Sequence, residues 1–286
     1  MKPISSTTLL LTLLLLLSAK LSSQETAVAN NNEAIFNQYV EHIAPYRKAP
    51  LETILEQTAR FFIGTPYVAH TLDEVEEEQL VVNLVGLDCV TYVENVLALS
   101  FAASSNNLSF DNYKEYLKKI RYRNGEVTDY ASRIHYTSDW VFNNEQNGLL
   151  ENISQQLSGA TKETKEINFM STHRSAYKQL AQDDAMLCKI EQIEKDINSR
   201  GGFHYLPKHD IAVKAKDIPH MAMIGFATAI DGLDTTHVGF AYKKDGELTF
   251  IHASSGKMEV VIDAQTLSSY CESQKNCKGI IVAKIN

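Results

Sequence analysis

His237-Val238-Gly239-Phe240-Ala241-Tyr242, then Asp245-Gly246, then Phe250-Ile251-His252-Ala253 is the stretch that decides the fold. An Asp-Gly pair between two β-forming runs predicts a two-residue hairpin turn, so the flanking strands are antiparallel neighbours. The same reading extends outward: segments 221–228, 237–243, 247–253, 258–262 and 279–285 all read as strands. Upstream the period changes. Leu51, Ile54, Leu55, Thr58 and Phe62 fall on one helical face, which Gly64-Thr65-Pro66 ends. Residues 80–85 are a short strand or extended segment, 110–121 form an amphipathic helix, and 172–199 a longer helical stretch. Helices followed by a run of antiparallel strands predict an α+β fold.

Composition narrows the classes. Of 286 residues, 44% are hydrophobic and 22% charged, with 13 Gly and 6 Pro, which excludes collagen, low-complexity disorder and a polytopic membrane protein. The formal charge is -8. An acidic chain without a basic run does not attract a polyphosphate backbone, so no nucleic acid is expected as a partner. The acidic run 73–78 reads as a solvated face.

Residues 1–23 carry Lys2, the leucine-rich run 9–17 and a small, polar exit, the pattern of a secretory signal peptide. The run is shorter than the ~20 apolar residues of a membrane span. The mature protein is therefore expected to be exported (periplasmic or secreted), soluble and without a stable membrane span. Residues 24–33, polar and Asn-rich, read as a flexible tether, leaving 34–286 as one domain.

Export makes the four cysteines informative, because thiols outside the cytoplasm tend to pair. Cys271 and Cys277 are close enough to close a small loop, which spacing cannot establish; Cys89 has no local partner. Asp88 is placed to cap a helix that begins at Cys89, and Val90, Val93, Val96, Leu97 and Phe101 give that helix a wide apolar stripe. Unpaired amides and the helix dipole at such a terminus are expected to lower the thiol pKa, and the same amides can hold an oxyanion. His237 lies eight residues before Asp245 and His252 six after Gly246, near the same end of the hairpin. One imidazole can act as base to the thiol while the other orients it.

Gly64-Thr65-Pro66-Tyr67, Asp88-Cys89, His237-Val238-Gly239 and Ile251-His252-Ala253 resemble the NlpC-type papain-like cell-wall hydrolases. The longer strings 87–95, 121–123, 132–140 and 232–237 resemble one branch of them, the N-acetylmuramoyl-L-alanine amidase-like group. The resemblance runs from about Leu51 to the C-terminus. It implies a papain-like fold whose helical N-terminal half packs the nucleophile helix on a C-terminal antiparallel sheet, with a helical insertion at about 104–200. It also implies Cys89 as nucleophile, His237 as base and His252 as the third, orienting residue, with Ser254 as the alternative should the strand slip in register. Tyr67 matches a tyrosine that lines the nucleophile. Val68-Ala69-His70 replaces the Trp-Gly-Gly common after that tyrosine, which suits cleavage between muramic acid and L-alanine and a preference for anhydromuropeptides.

In the insertion, Trp140 suits stacking on a sugar or acetamide, and Arg133 and His135 suit substrate carboxylates, with Tyr136 beside them. Buried framework roles for these residues are equally open. Glu94 is expected to support the site, with Arg121 and Arg123 as partners. The implied chemistry needs no metal and no other cofactor, and its partners are peptidoglycan fragments. A zinc amidase lacks its His-Glu-x-x-His helix here. A stem-peptide endopeptidase with the same residues and a non-catalytic muropeptide-binding module are the other readings.

Overall fold

A computed structural model describes residues 31–286; the signal-peptide segment lies outside the described residues. Helix α1 covers 31–43, so it takes in the last residues read as tether. Asn32 fixes it there: its amide donates to Val82 O and accepts from Leu84 N, both at 2.8–2.9 Å. Helix α2 (Leu51–Phe61) follows, then α3 (Cys89–Ser104), α4 (Phe110–Arg121) and α5 (Thr137–Gln146). No described helix is long and apolar enough to cross a membrane.

α3 starts where its sequence requires. The Asp88 carboxylate accepts from Thr91 N at 2.8 Å while the Thr91 hydroxyl accepts from Asp88 N at 2.9 Å, a reciprocal cap. From Thr91 to Ala103 every residue is buried, because α3 is covered by α2, α4 and the sheet. Its buried charge is paired, although the Ser100 hydroxyl has no partner among the described residues. Arg121 Nε donates to Glu94 Oε2 at 2.7 Å with both side chains almost wholly buried. Arg123 pairs instead with Asp139, on α5.

Among the described residues, eight strands form one antiparallel sheet: β1 (Leu150–Asn152), β2 (Thr161–Glu163), β3 (Phe203–Pro207), β4 (Met223–Thr228), β5 (Thr235–Lys244), β6 (Glu247–Ser254), β7 (Glu259–Ile262) and β8 (Cys277–Ile285). Their order is β2-β3-β8-β4-β5-β6-β7, with β1 sharing the β3 edge of long β8. The α+β reading and its strands 221–285 therefore hold; β1, β2 and β3 are additions, and two of them lie within 104–200, which is not purely helical. Only 184–199 of the stretch 172–199 is one continuous helix (Asp184–Ser199). Residues 80–85 belong to no strand of the sheet, and 84–85 bend toward the start of α3.

The β5–β6 turn has both Asp245 and Gly246 at positive φ (52° and 84°), the conformation a two-residue hairpin needs. Alternate strand residues feed two cores. Val238, Phe240 and Ile251 pack with Tyr92, Val96 and Leu97 of α3, whereas Phe226 and Phe250 pack on the other face with Leu267 and Cys271. Cys271 and Cys277 form a disulfide that ties the helix Leu267–Ser273 to β8.

A cysteine and two histidines at the end of the hairpin

Packing of α3 on β5 brings Cys89 to the histidine strand: the sulfur lies against the backbone amide of Val238, the residue after His237. His237 Nε2 is 2.6 Å from His252 Nδ1. The ladder pairs Phe240 with Ile251, and counting on along it sets His237 opposite Ser254. The hydrogen bond is therefore diagonal, two residues off that pairing. Ser254 turns elsewhere, its hydroxyl accepting from Lys257 N at 3.3 Å.

Gly239 makes the diagonal fit. A Cβ there would stand 2.9 Å from Ile251 O and 3.0 Å from His252 Cβ, closer than such atoms approach. Gly239→Ala is expected to push β6 away, lowering turnover at least tenfold and stability by about 1–3 kcal/mol. Parallel rate and urea-unfolding measurements check both; an unchanged rate refutes the assignment.

The electrostatics depart from the helix-terminus expectation. The amides of Val238, Cys89 and Val90 do favour the thiolate, but burial outweighs them and, with the Asp88 carboxylate beside it, pushes the Cys89 thiol up to about 12. Desolvation likewise pushes His237 down to about 3 and His252 to about 4. The rings of Phe226, Phe250 and Tyr270 cause this, with centroids 5.6, 6.3 and 6.2 Å from His237. Both directions favour the neutral thiol and the neutral imidazole. Half-buried Cys89 should react with iodoacetamide at neutral pH after the exposed Cys188, and faster as pH rises. Peptide mapping by mass checks the order; Cys89 labelled first would show a preformed thiolate.

Tyr67 sits at the mouth, its hydroxyl pushed up by burial and by the nearby Cys89 and Asp88. Its backbone bridges Leu87 and donates to Met258 O. A narrow pocket of about 30 Å³ is lined by Val90 and Val238, the residues that follow Cys89 and His237, with His135, Tyr136, Trp140 and Glu94 among others. Ser138 N donates to Asp234 Oδ2 at 2.6 Å and Thr137 bonds Thr235, which hold the α5 start against β5.

The predicted wall residues differ in what they have free. Trp140 is 4% exposed, and among the described residues its Nε1–H has no partner. Tyr136 donates to Glu194 Oε1 at 2.7 Å and accepts from Met170 N, so its hydroxyl serves the framework. His135 bonds Tyr130 O at 2.8 Å, and burial holds it near 3, neutral. Arg133 is nearly buried, donating to Asp73 Oδ1 at 2.7 Å and Leu72 O at 3.1 Å, with Glu78 at 3.7 Å. Its charge is already balanced. The acidic run 73–78 is thereby corrected: Asp73 and Glu78 anchor this wall, and Glu78 also accepts from Tyr122.

Two site residues escaped the sequence reading. Tyr270 closes the aromatic side over both imidazoles, and Asp263 Oδ2 lies 3.3 Å from His252 Nε2. The only sequence signal for Tyr270 is its neighbour Cys271, half of the disulfide; Asp263 had none.

Residues 57–280 match the AmiA-like family, described as N-acetylmuramoyl-L-alanine amidase-like. Two crystal structures of an N-acetylmuramoyl-L-alanine amidase from Bacteroides uniformis are 34% and 33% identical, with TM-scores of 0.76 and 0.73. Each alignment covers 82% of this chain and 98% or 99% of that one. A Legionella pneumophila protein, at 24% identity, shares the fold with a TM-score of 0.69 over 91% of this chain and 96% of its own. No curated protein matches the chain.

Proposed function

Since the chain belongs to the N-acetylmuramoyl-L-alanine amidase-like family, we propose that it is a cysteine amidase of the NlpC-type papain-like class. It hydrolyses the amide between N-acetylmuramic acid and L-alanine in peptidoglycan fragments, anhydromuropeptides in particular. The observation that carries this reading is the 2.6 Å His237–His252 hydrogen bond beside a thiol at a helix start.

The neutral resting state sets the order of events. His237 takes the thiol proton as Cys89 Sγ attacks the lactyl carbonyl carbon, so charge separates only as the new C–S bond forms. Backbone amides at the α3 start stabilise the oxyanion. Collapse breaks the C–N bond, and His237 returns the proton to the departing L-alanine nitrogen. His237 then deprotonates a water that attacks the thioester; the muramic carboxylate leaves and the thiol is restored. The unpaired Trp140 Nε1–H and the apolar walls of the narrow pocket suit a small substrate group with one acceptor, such as an acetamide. Arg133, His135 and Tyr136 hold that wall.

The signal-peptide reading of residues 1–23 and the Cys271–Cys277 disulfide together support export to an oxidising compartment. Incubation with defined anhydromuropeptides and with polymeric wall, products identified by mass, tests the activity. Peptide beginning with free L-alanine plus intact sugar supports it. Cuts within the stem peptide make the protein an endopeptidase, and no product from any substrate makes it a binding module.

A further inference from the structure

His252 is 1% exposed, and among the described residues its Nε2 has no hydrogen-bond partner. Asp263 Oδ2 stands 3.3 Å from that atom but outside hydrogen-bond direction. The carboxylate is firmly seated. Oδ1 accepts from Gln265 N at 2.8 Å, the Asp263 N–H donates to Phe250 O at 2.9 Å, and Thr249 Oγ1 donates to the Asp263 and Gln265 carbonyls.

A neutral imidazole has one N–H and one lone pair, so the shared hydrogen bond between the two rings forces a choice. If His252 carried its proton on Nδ1, Nε2 would point a lone pair at a carboxylate. His252 would also donate to His237 Nε2, and the His237 proton would then sit on Nδ1, leaving no base for the thiol. The opposite arrangement turns an Nε2–H of His252 toward the carboxylate and leaves His237 Nδ1 with its lone pair free for the thiol proton.

We propose that Asp263 is a positioning residue, selecting the Nε2–H tautomer of His252 so that His237 Nε2–H donates to His252 Nδ1 and His237 Nδ1 is left as the base. A small turn of the carboxylate or ring brings Oδ2 into line with Nε2 across the 3.3 Å approach. The proposal rests on the cysteine-amidase reading for its effect on rate, but not for the tautomers themselves. The titratable groups around the two rings are Asp263 and Tyr270; the Cys89 sulfur lies against Val238 N–H, the residue after His237, with Asp88 beside it.

Asp263→Asn in the full mature chain is the test, because the amide oxygen still accepts from Gln265 N while the charge is gone. Histidine ¹⁵N NMR of the wild type at neutral pH should show His237 and His252 both as Nε2–H tautomers, and the variant a mixture at each. kcat should fall about 10- to 100-fold with KM nearly unchanged, less than when the direct partner of a catalytic histidine is neutralised. Asp263→Glu, which keeps a carboxylate, should recover part of the rate. An Nδ1–H tautomer of His252 in the wild type overturns the proposal, even if a variant fails to fold. So does a variant with unchanged tautomers and kcat. If the wild type shows the expected tautomers but cleaves no muropeptide, the reaction assignment falls and the positioning role stands.

Discussion

Cys89→Ala is expected to end release of L-alanine-terminated peptide from anhydromuropeptides, with kcat lower by at least about 10⁴-fold and the melting temperature little changed. The side chain is half-buried at the end of α3, and its helix is capped by Asp88 and Thr91, so removing the sulfur leaves the fold's contacts in place. Its chemical role has no substitute: Ser254 and Tyr67 are held by other bonds or carry no nucleophile of comparable strength. His237→Ala should be nearly as damaging, because a thiol pushed up to about 12 depends on a base to become a nucleophile. The double variant should be no slower than the worse single one, since the two act as a unit. Full turnover by either single variant would refute the mechanism; stopped assays with mass detection read it directly.

Arg121→Ala is expected to be the most destabilising single change outside the site. Arg121 and Glu94 are both almost wholly buried, joined at 2.7 Å, and the guanidinium also donates to Val81 O at 2.6 Å. Without it Glu94 is an unpaired buried carboxylate, whose pKa burial already raises against the pull of Arg121. Breaking such a pair on one side costs about 3–5 kcal/mol. Because protonation relieves the orphaned carboxylate, the deficit should be smallest in acid and grow as pH rises through and above the ordinary carboxylate range. Urea midpoints across pH measure this. The apolar pair Arg121→Met with Glu94→Leu should lose much less than Arg121→Ala; an equal loss would mean that packing, not charge, is at stake.

The ion pair also shows where local reading stops. Glu94 and Arg121 were expected as partners and are, yet Arg123, read the same way, belongs to Asp139. Charge alone does not choose among acids; the direction in which each helix residue projects does. Likewise Asp73 and Glu78 look solvated in sequence because their partner, Arg133, lies some 60 residues on. β1 and β2, three residues each, are too short to carry a period and exist only because β8 and β3 offer them an edge.

By itself the sequence determined what depends on neighbours along the chain. The Asp88 cap and apolar α3 follow from a side chain reaching three residues on, and the Asp245-Gly246 turn from φ angles that few residues accept. These place a thiol at a helix start and two histidines on adjoining strands. Tertiary structure decided what those groups are: the diagonal His237–His252 bond, the aromatic cover that desolvates both imidazoles, and the approach of Asp263. Protonation equilibria and bond direction depend on everything within a few ångströms, and most of that is contributed by residues distant in sequence.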